Sequence, residues 1–153
     1  MNRVAPLAVL GLLACGPKPR PIDPALLHPA RPLNNSPVTA APLTRGERVS
    51  GILPCDEKLY YRVDGLTEGS RLRIRLHVET GSPYRYCHQA AFPDSHDQYS
   101  YTDLLGCAGE NAPSDVSAEA VSEGPALYVR LWRNGPADPA CIAARFTLSA
   151  DGQ

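Results

Sequence analysis

Lysine is nearly missing from this chain of 153 residues: Lys18 and Lys58 stand alone, and arginine supplies the rest of the 15 basic side chains. The formal net charge is -1, so there is no basic excess to meet a phosphate backbone, and nucleic acid is not an expected partner. Aromatic residues are few, with one tryptophan (Trp132) and two phenylalanines, so a core must be largely aliphatic. After residue 14 no apolar run approaches the roughly 20 residues that a membrane-spanning helix requires. Catalytic signatures are missing as well: no nucleophile elbow, metalloprotease helix, phosphate-binding glycine loop or kinase motif. The expectation is a chain that is not an enzyme and needs no cofactor.

What is present begins at the N-terminus. Arg3, an apolar run from Val4 to Ala14 and a small residue before Cys15 have the make-up of an export signal. The residues Leu12-Leu13-Ala14-Cys15 resemble the lipobox of bacterial lipoproteins, with Leu13 where Ala, Ser, Thr or Val is more usual. The resemblance implies cleavage before Cys15, a diacylglyceryl group on its sulfur, a further acyl chain such as palmitate on its amine, and attachment to a membrane by lipid. Gly16 follows, and Asp at that position is the signal for inner-membrane retention in the best-known sorting rule. The expected location is therefore the bacterial cell envelope, at the outer membrane. The expected division is 1–14 signal peptide, 15–44 lipidated cysteine and linker, and 45–153 folded domain.

Assigning Cys15 to lipid leaves Cys55, Cys87, Cys107 and Cys141, an even set suited to an oxidising compartment. Four cysteines allow three pairings. Cys87–Cys107 would close one local loop, and Cys55–Cys141 would join the start of the domain to its last strand, each contributing about 2–4 kcal/mol. The competing reading is a zinc site of Cys87, His88, His96 and Cys107, although that spacing matches no familiar finger.

From Gly16 to Thr44 proline recurs, in Gly16-Pro17-Lys18-Pro19-Arg20-Pro21 and again at Pro29, Pro32, Pro37 and Pro42. Repeated proline favours extended, polyproline-like backbone, so this stretch reads as a disordered tether reaching at most about 90 Å. Beyond Arg45 the pattern becomes alternation. In Ser70–Glu79, Leu72, Ile74, Leu76 and Val78 alternate with Arg71, Arg73, Arg75 and His77, the period of a half-buried strand. Lys58–Asp64, Ala126–Arg133 and Cys141–Ala150 repeat it, and 47–53, 85–91 and 116–121 are weaker candidates. Turn signals such as Asp64-Gly65, Gly81-Ser82-Pro83 and Asn134-Gly135-Pro136 separate them. The segment Pro93–Ser114 reads as long loops. The expected fold class is all-β, an antiparallel, jelly-roll-like β-sandwich.

Several of these stretches resemble the bacterial pre-peptidase C-terminal domain, a small sandwich appended to secreted enzymes. The carriers are Gly46–Leu53, Leu59–Val63, Glu68–Ile74, Gly124–Arg130 and Arg145–Leu148, spanning Leu43 to Ala150. The acidic, leucine-rich central strand of that family is replaced here by Tyr84-Arg85-Tyr86-Cys87-His88. The resemblance implies a fold and an accessory role.

Candidate binding residues come from the outward phase of the strands: Tyr60, Arg62, Arg73, Arg75, Tyr128, Arg130 and Trp132, with Arg145 in step. Arginine beside aromatics suits anionic glycans, lipid headgroups or an acidic protein patch. The plainer reading is solubilising arginines paired with Asp64, Glu79 or Glu119. Tyr84, Tyr86, Tyr99 and Tyr101 form a second aromatic set. His88, His96, Asp94, Asp97 and Asp103 cluster in sequence, but acid–base or calcium chemistry needs them to converge in space. Three functions follow as expectations: an envelope lipoprotein binding a protein or polymer, a carbohydrate- or lipopolysaccharide-binding module, or a subunit of a secretion or motility machine.

Overall fold

The computed structural model describes residues 22–27, 29–79, 84–93, 99–109 and 114–152, with 92, 93 and 99–105 described by backbone alone. Among the described residues nine strands form two sheets. They are β1 (Ala41–Pro42), β2 (Arg48–Leu53), β3 (Lys58–Asp64), β4 (Arg71–Val78), β5 (Arg85–Pro93), β6 (Tyr99–Ala108), β7 (Asp115–Val121), β8 (Ala126–Asn134) and β9 (Ala144–Gly152). One sheet runs β1-β3-β8-β5-β6 and the other β2-β9-β4-β7. The pairs β2·β9, β3·β8, β4·β7 and β5·β6 are nested antiparallel partners, as if one long hairpin turning between β5 and β6 were folded across two layers. That is the jelly-roll form of the expected sandwich.

Alternation places the core. Leu72, Ile74, Leu76 and Val78 of β4 face Leu59, Tyr61 and Val63 of β3 and Leu127, Val129 and Leu131 of β8 across the interior, with Phe146 and Leu148 of β9. The Tyr61 and Phe146 rings meet edge to face at 6.2 Å. Along one side β6 and β7, the edge strands of opposite sheets, come close. A Cβ at Gly106 would lie 2.4 Å from Val116 Cγ2, so glycine is what lets the layers close there.

Two sequence expectations need correction. Tyr99–Ala108, expected within a looped segment, is a strand paired with β5 from Pro93↔Tyr99 to Tyr86↔Ala108. Its alternation was hidden because the ladder shifts register twice around Gln89 and because Leu104 and Leu105 are adjacent. Cys141–Ala143 precedes the last strand rather than beginning it.

The proline-rich stretch is also not a free tether in the part described. Residues 22–27 and 29–44 lie on the sandwich as a strap. Ala143 N–H donates to the Leu26 carbonyl at 3.1 Å, and Asp23 pairs with Arg145. Asn34 brackets Tyr60, its carbonyl accepting from Tyr60 N–H and its side-chain amide donating to the Tyr60 carbonyl. Ala41–Pro42 then adds parallel to β3, and Leu43, only 2 % exposed, plugs the core. Proline suits this edge position because it has no N–H to leave unpaired. Cys15 and residues 16–21 lie outside the described residues.

The disulfides are Cys55–Cys141 and Cys87–Cys107. The first ties the β2–β3 connection to the β8–β9 connection across 86 residues of sequence. The second joins directly opposite residues of β5 and β6.

Candidate functional site

The seven outward candidates fall on two opposite surfaces. Tyr60, Arg62, Tyr128, Arg130 and Trp132 share the outer face of the five-stranded sheet, whereas Arg73 and Arg75 lie on the outer face of the four-stranded sheet. One continuous basic and aromatic platform is therefore not what they form.

On the five-stranded sheet the register lines up Tyr60↔Arg130↔Gln89 and Arg62↔Tyr128↔Ala91. These side chains are engaged with one another. Arg130 stacks over Trp132, with its guanidinium carbon 4.7 Å from the ring centroid, and donates to Gln89 Oε1. Arg62 Nε donates to Asp64 Oδ2 at 2.9 Å, and Asp64, with the Tyr128 hydroxyl behind it, holds the guanidinium above its ordinary pKa. Tyr60 is 6 % exposed and Tyr128 9 %, too little ring surface for stacking a ligand. Cys87 and Cys107 complete the face.

The four-stranded sheet is different. One row crosses all four strands as Arg48↔Ser149↔Arg75↔Ser117. It is flanked by Ser50↔Thr147↔His77↔Asp115 on one side and Asp151↔Arg73↔Glu119 on the other. Of these, Arg48, Arg73, Arg75, His77, Asp115, Ser117, Thr147 and Ser149 line a shallow groove of about 600 Å³. The carboxylates take some of the cations: Arg71 meets Glu119 at 2.7 Å, Arg75 meets Asp151 at 3.3 Å and His77 Nδ1 meets Asp115 at 2.8 Å. Arg48 and Arg73 form no ion pair among the described residues. Arg48 and Ser149 were not singled out from sequence. Each strand shows its phase by itself, but only cross-strand register places Ser149 between two arginines from β2 and β4.

The remaining candidates have structural positions. Tyr86 is fully buried and its hydroxyl donates to the Ile142 carbonyl at 3.0 Å. The Tyr84 hydroxyl lies 3.1 Å from both Asp138 Oδ2 and the Ala140 carbonyl, with the Arg133 guanidinium over its ring. Both tyrosines brace the β8–β9 connection. His88 points into the core, its Nδ1 3.1 Å from the Gly106 carbonyl. Burial is the main cause of its pKa falling to about 4, so the ring is neutral, and the Gly106 and Ile74 backbone groups oppose that fall only in part. Nε2 makes no hydrogen bond of normal geometry.

The zinc reading is overturned at three of its four ligands. The Cys87 and Cys107 sulfurs are bonded to each other, and His88 projects from the opposite face of β5 into the core. His96, Asp94 and Asp97 lie outside the described residues. The same holds for the side chains of Tyr99, Tyr101 and Asp103. Among the described residues no group of three or more His, Cys, Asp or Glu side chains could hold a metal ion, and no helix is long and apolar enough to cross a membrane.

Fold and surfaces together define a disulfide-stapled β-sandwich module with an open, polar, arginine-bearing groove on its four-stranded sheet. No family model and no curated protein matches the chain. Among solved structures it is similar to the pre-peptidase C-terminal domain of collagenase from Bacillus anthracis, at 12 % identity and a TM-score of 0.50, over 73 % of this chain and 94 % of that one. It is also similar to CorA, a surface-associated copper-binding protein of Methylomicrobium album BG8, at 6 % identity and a TM-score of 0.51, over 74 % and 98 %. At these identities the likeness is one of fold: a sandwich distantly resembling the pre-peptidase C-terminal domain.

Proposed function

We propose that this chain is a non-enzymatic lipoprotein of a bacterial envelope whose sandwich binds a protein partner or an envelope polymer. The observation that carries the binding role is the groove on the four-stranded sheet, where Arg48 and Arg73 stand without carboxylate partners among the described residues. The anchor rests on Leu12–Cys15 and on the two disulfides, which suit an exported domain.

The docked strap changes what the anchor does. Among the described residues the first tie to the sandwich is Asp23 with Arg145, and it follows Cys15 by eight residues, a reach of about 28 Å at most. That is about a third of what a free linker to residue 44 would span. The strap docks beside Arg145 and Ala143, next to the Cys55–Cys141 corner, so on this reading that corner is the part of the domain nearest the anchor. Cell fractionation of Cys15→Ser tests the anchor: the domain is expected in the soluble envelope fraction or as an unprocessed precursor. Normal processing with membrane retention overturns it. Affinity capture from intact cells with mass spectrometry tests the binding role. Recovery of neither a reproducible protein nor an envelope polymer counts against it.

A further inference from the structure

We infer that the groove across β2, β9 and β4 binds a linear acidic polysaccharide, with Arg48 and Arg75 gripping a sugar carboxylate above Ser149. The inference rests on the reading of the sandwich as a binding module and is independent of the lipid anchor.

Geometry comes first. Arg48 and Arg75 are in register on strands either side of β9, so their backbones are about 10 Å apart, twice the strand spacing. Ser149 lies between them and is the floor of the gap, 6 % exposed, and its hydroxyl is given no hydrogen-bond partner by any described residue. Two guanidiniums flank that floor, Arg75's paired with Asp151 at 3.3 Å in the absence of a ligand, and both are within reach of one anion held above Ser149, to which they can offer planar donor forks, the arrangement in which arginine exceeds lysine. The near-absence of lysine makes such forks the chain's main cationic chemistry.

The rest of the groove indicates the kind of molecule that carries the anion. Its lining is hydroxylic, with Ser117, Thr147 and Ser149, and the hydroxyls can both donate and accept, as sugar hydroxyls require. Among the described residues no Phe, Tyr or Trp lines it, so the broad ring surface on which neutral sugars stack is not offered. Arg73, two residues from Arg75 on the same face of β4, supplies a second cation about 7 Å along the strand, suited to a repeating anion rather than a single one. Glu119 and Asp151 flank Arg73 in register, so an acidic chain running from Arg75 to Arg73 is confined to the line of β4 between the two carboxylates, which fixes the path. An acidic peptide would bring flexible carboxylates but few hydroxyls to match the serine and threonine lining.

The test measures binding of the purified full chain to polygalacturonate at physiological ionic strength, with dextran, polyglutamate and inorganic phosphate as comparison probes. Polygalacturonate is expected to bind and dextran not to. The double variant R48A/R75A should lose at least about tenfold in affinity, R75K should lose less, and Arg62→Ala on the opposite sheet should change nothing. All three arginines are exposed, so folding is checked by an unchanged melting transition. No binding of polygalacturonate overturns the inference, as does binding that R48A/R75A leaves intact. Polyglutamate bound equally or more tightly would reassign the groove to a protein, and phosphate competing as well as the polymer would reduce it to a small-anion site. In each failing case partner capture from cells still reports separately on the module reading.

Discussion

Arg130 and Arg75 occupy equivalent outward phases of strands with the same alternation, one on each outer face, and their surroundings differ. Arg130 is stacked on Trp132 and bonded to Gln89, within a face whose tyrosines are nearly buried. Arg75 stands in a groove with one exposed carboxylate neighbour, beside an arginine that has none. The five-stranded sheet carries the strap at its edge, the Cys87–Cys107 disulfide and a closed set of cross-strand contacts. The four-stranded sheet carries hydroxyls and separated charges open to solvent. An arginine beside aromatics in the sequence is thus no guide to a binding surface until its partners are known, because stacking can be satisfied within the protein.

The largest test of that contrast removes an aromatic from the closed face. Tyr128→Ala deletes a ring that is almost buried and hydrogen-bonded toward Arg62, and should cost about 3 kcal/mol in urea unfolding. Polygalacturonate affinity of the folded variant should match wild type. A Tyr128→Ala protein of full stability and impaired binding would falsify the assignment of this face to structure.

How much of this was legible in the sequence depends on the range of the interaction. Leu72, Ile74, Leu76 and Val78 state their own burial by alternation, and the even set of cysteines points to disulfides, because each signal is local or arithmetic. Sheet membership is not local. Arg73 and Arg62 look alike along the chain, and only the nested pairing of β3 with β8 and of β4 with β7 separates them. The docking of the strap is hidden for a related reason. Proline at 29, 32, 37 and 42 does favour extended backbone, but extended backbone is also what a parallel edge contact with β3 needs, and Leu43 at its end is a core residue. Arg48 and Ser149 became visible only through register across three strands.

The interior supplies a third surface for the comparison, one that responds to pH. His88 has a folded pKa of about 4, below its ordinary 6.5, so the unfolded chain binds the proton first. Its contribution is present in full above pH 6.5 and is lost as pH falls through about 4, a loss on the order of 3 kcal/mol. Below that range this group adds no further change. Urea midpoints at pH 7, 5.5 and 4 (about those values) should therefore fall more steeply in wild type than in His88→Leu. Parallel slopes would mean that carboxylates alone carry the acid sensitivity.

The smallest stability effect is expected on the open face, and its smallness is the point. Arg48 is exposed and forms no ion pair among the described residues, so no salt bridge disappears in Arg48→Ala. Its unfolding free energy should stay within about 0.5 kcal/mol of wild type. A structural arginine behaves otherwise: Arg145 pairs with Asp23 on the strap, and its loss loosens the N-terminal segment. If Arg48→Ala instead destabilises by more than about 1 kcal/mol, its side chain has a packing role that the exposed geometry does not explain, and the groove loses its claim to be kept open for a ligand. Unchanged stability with weakened polygalacturonate binding would leave Arg48 a surface cation whose one effect is on a partner.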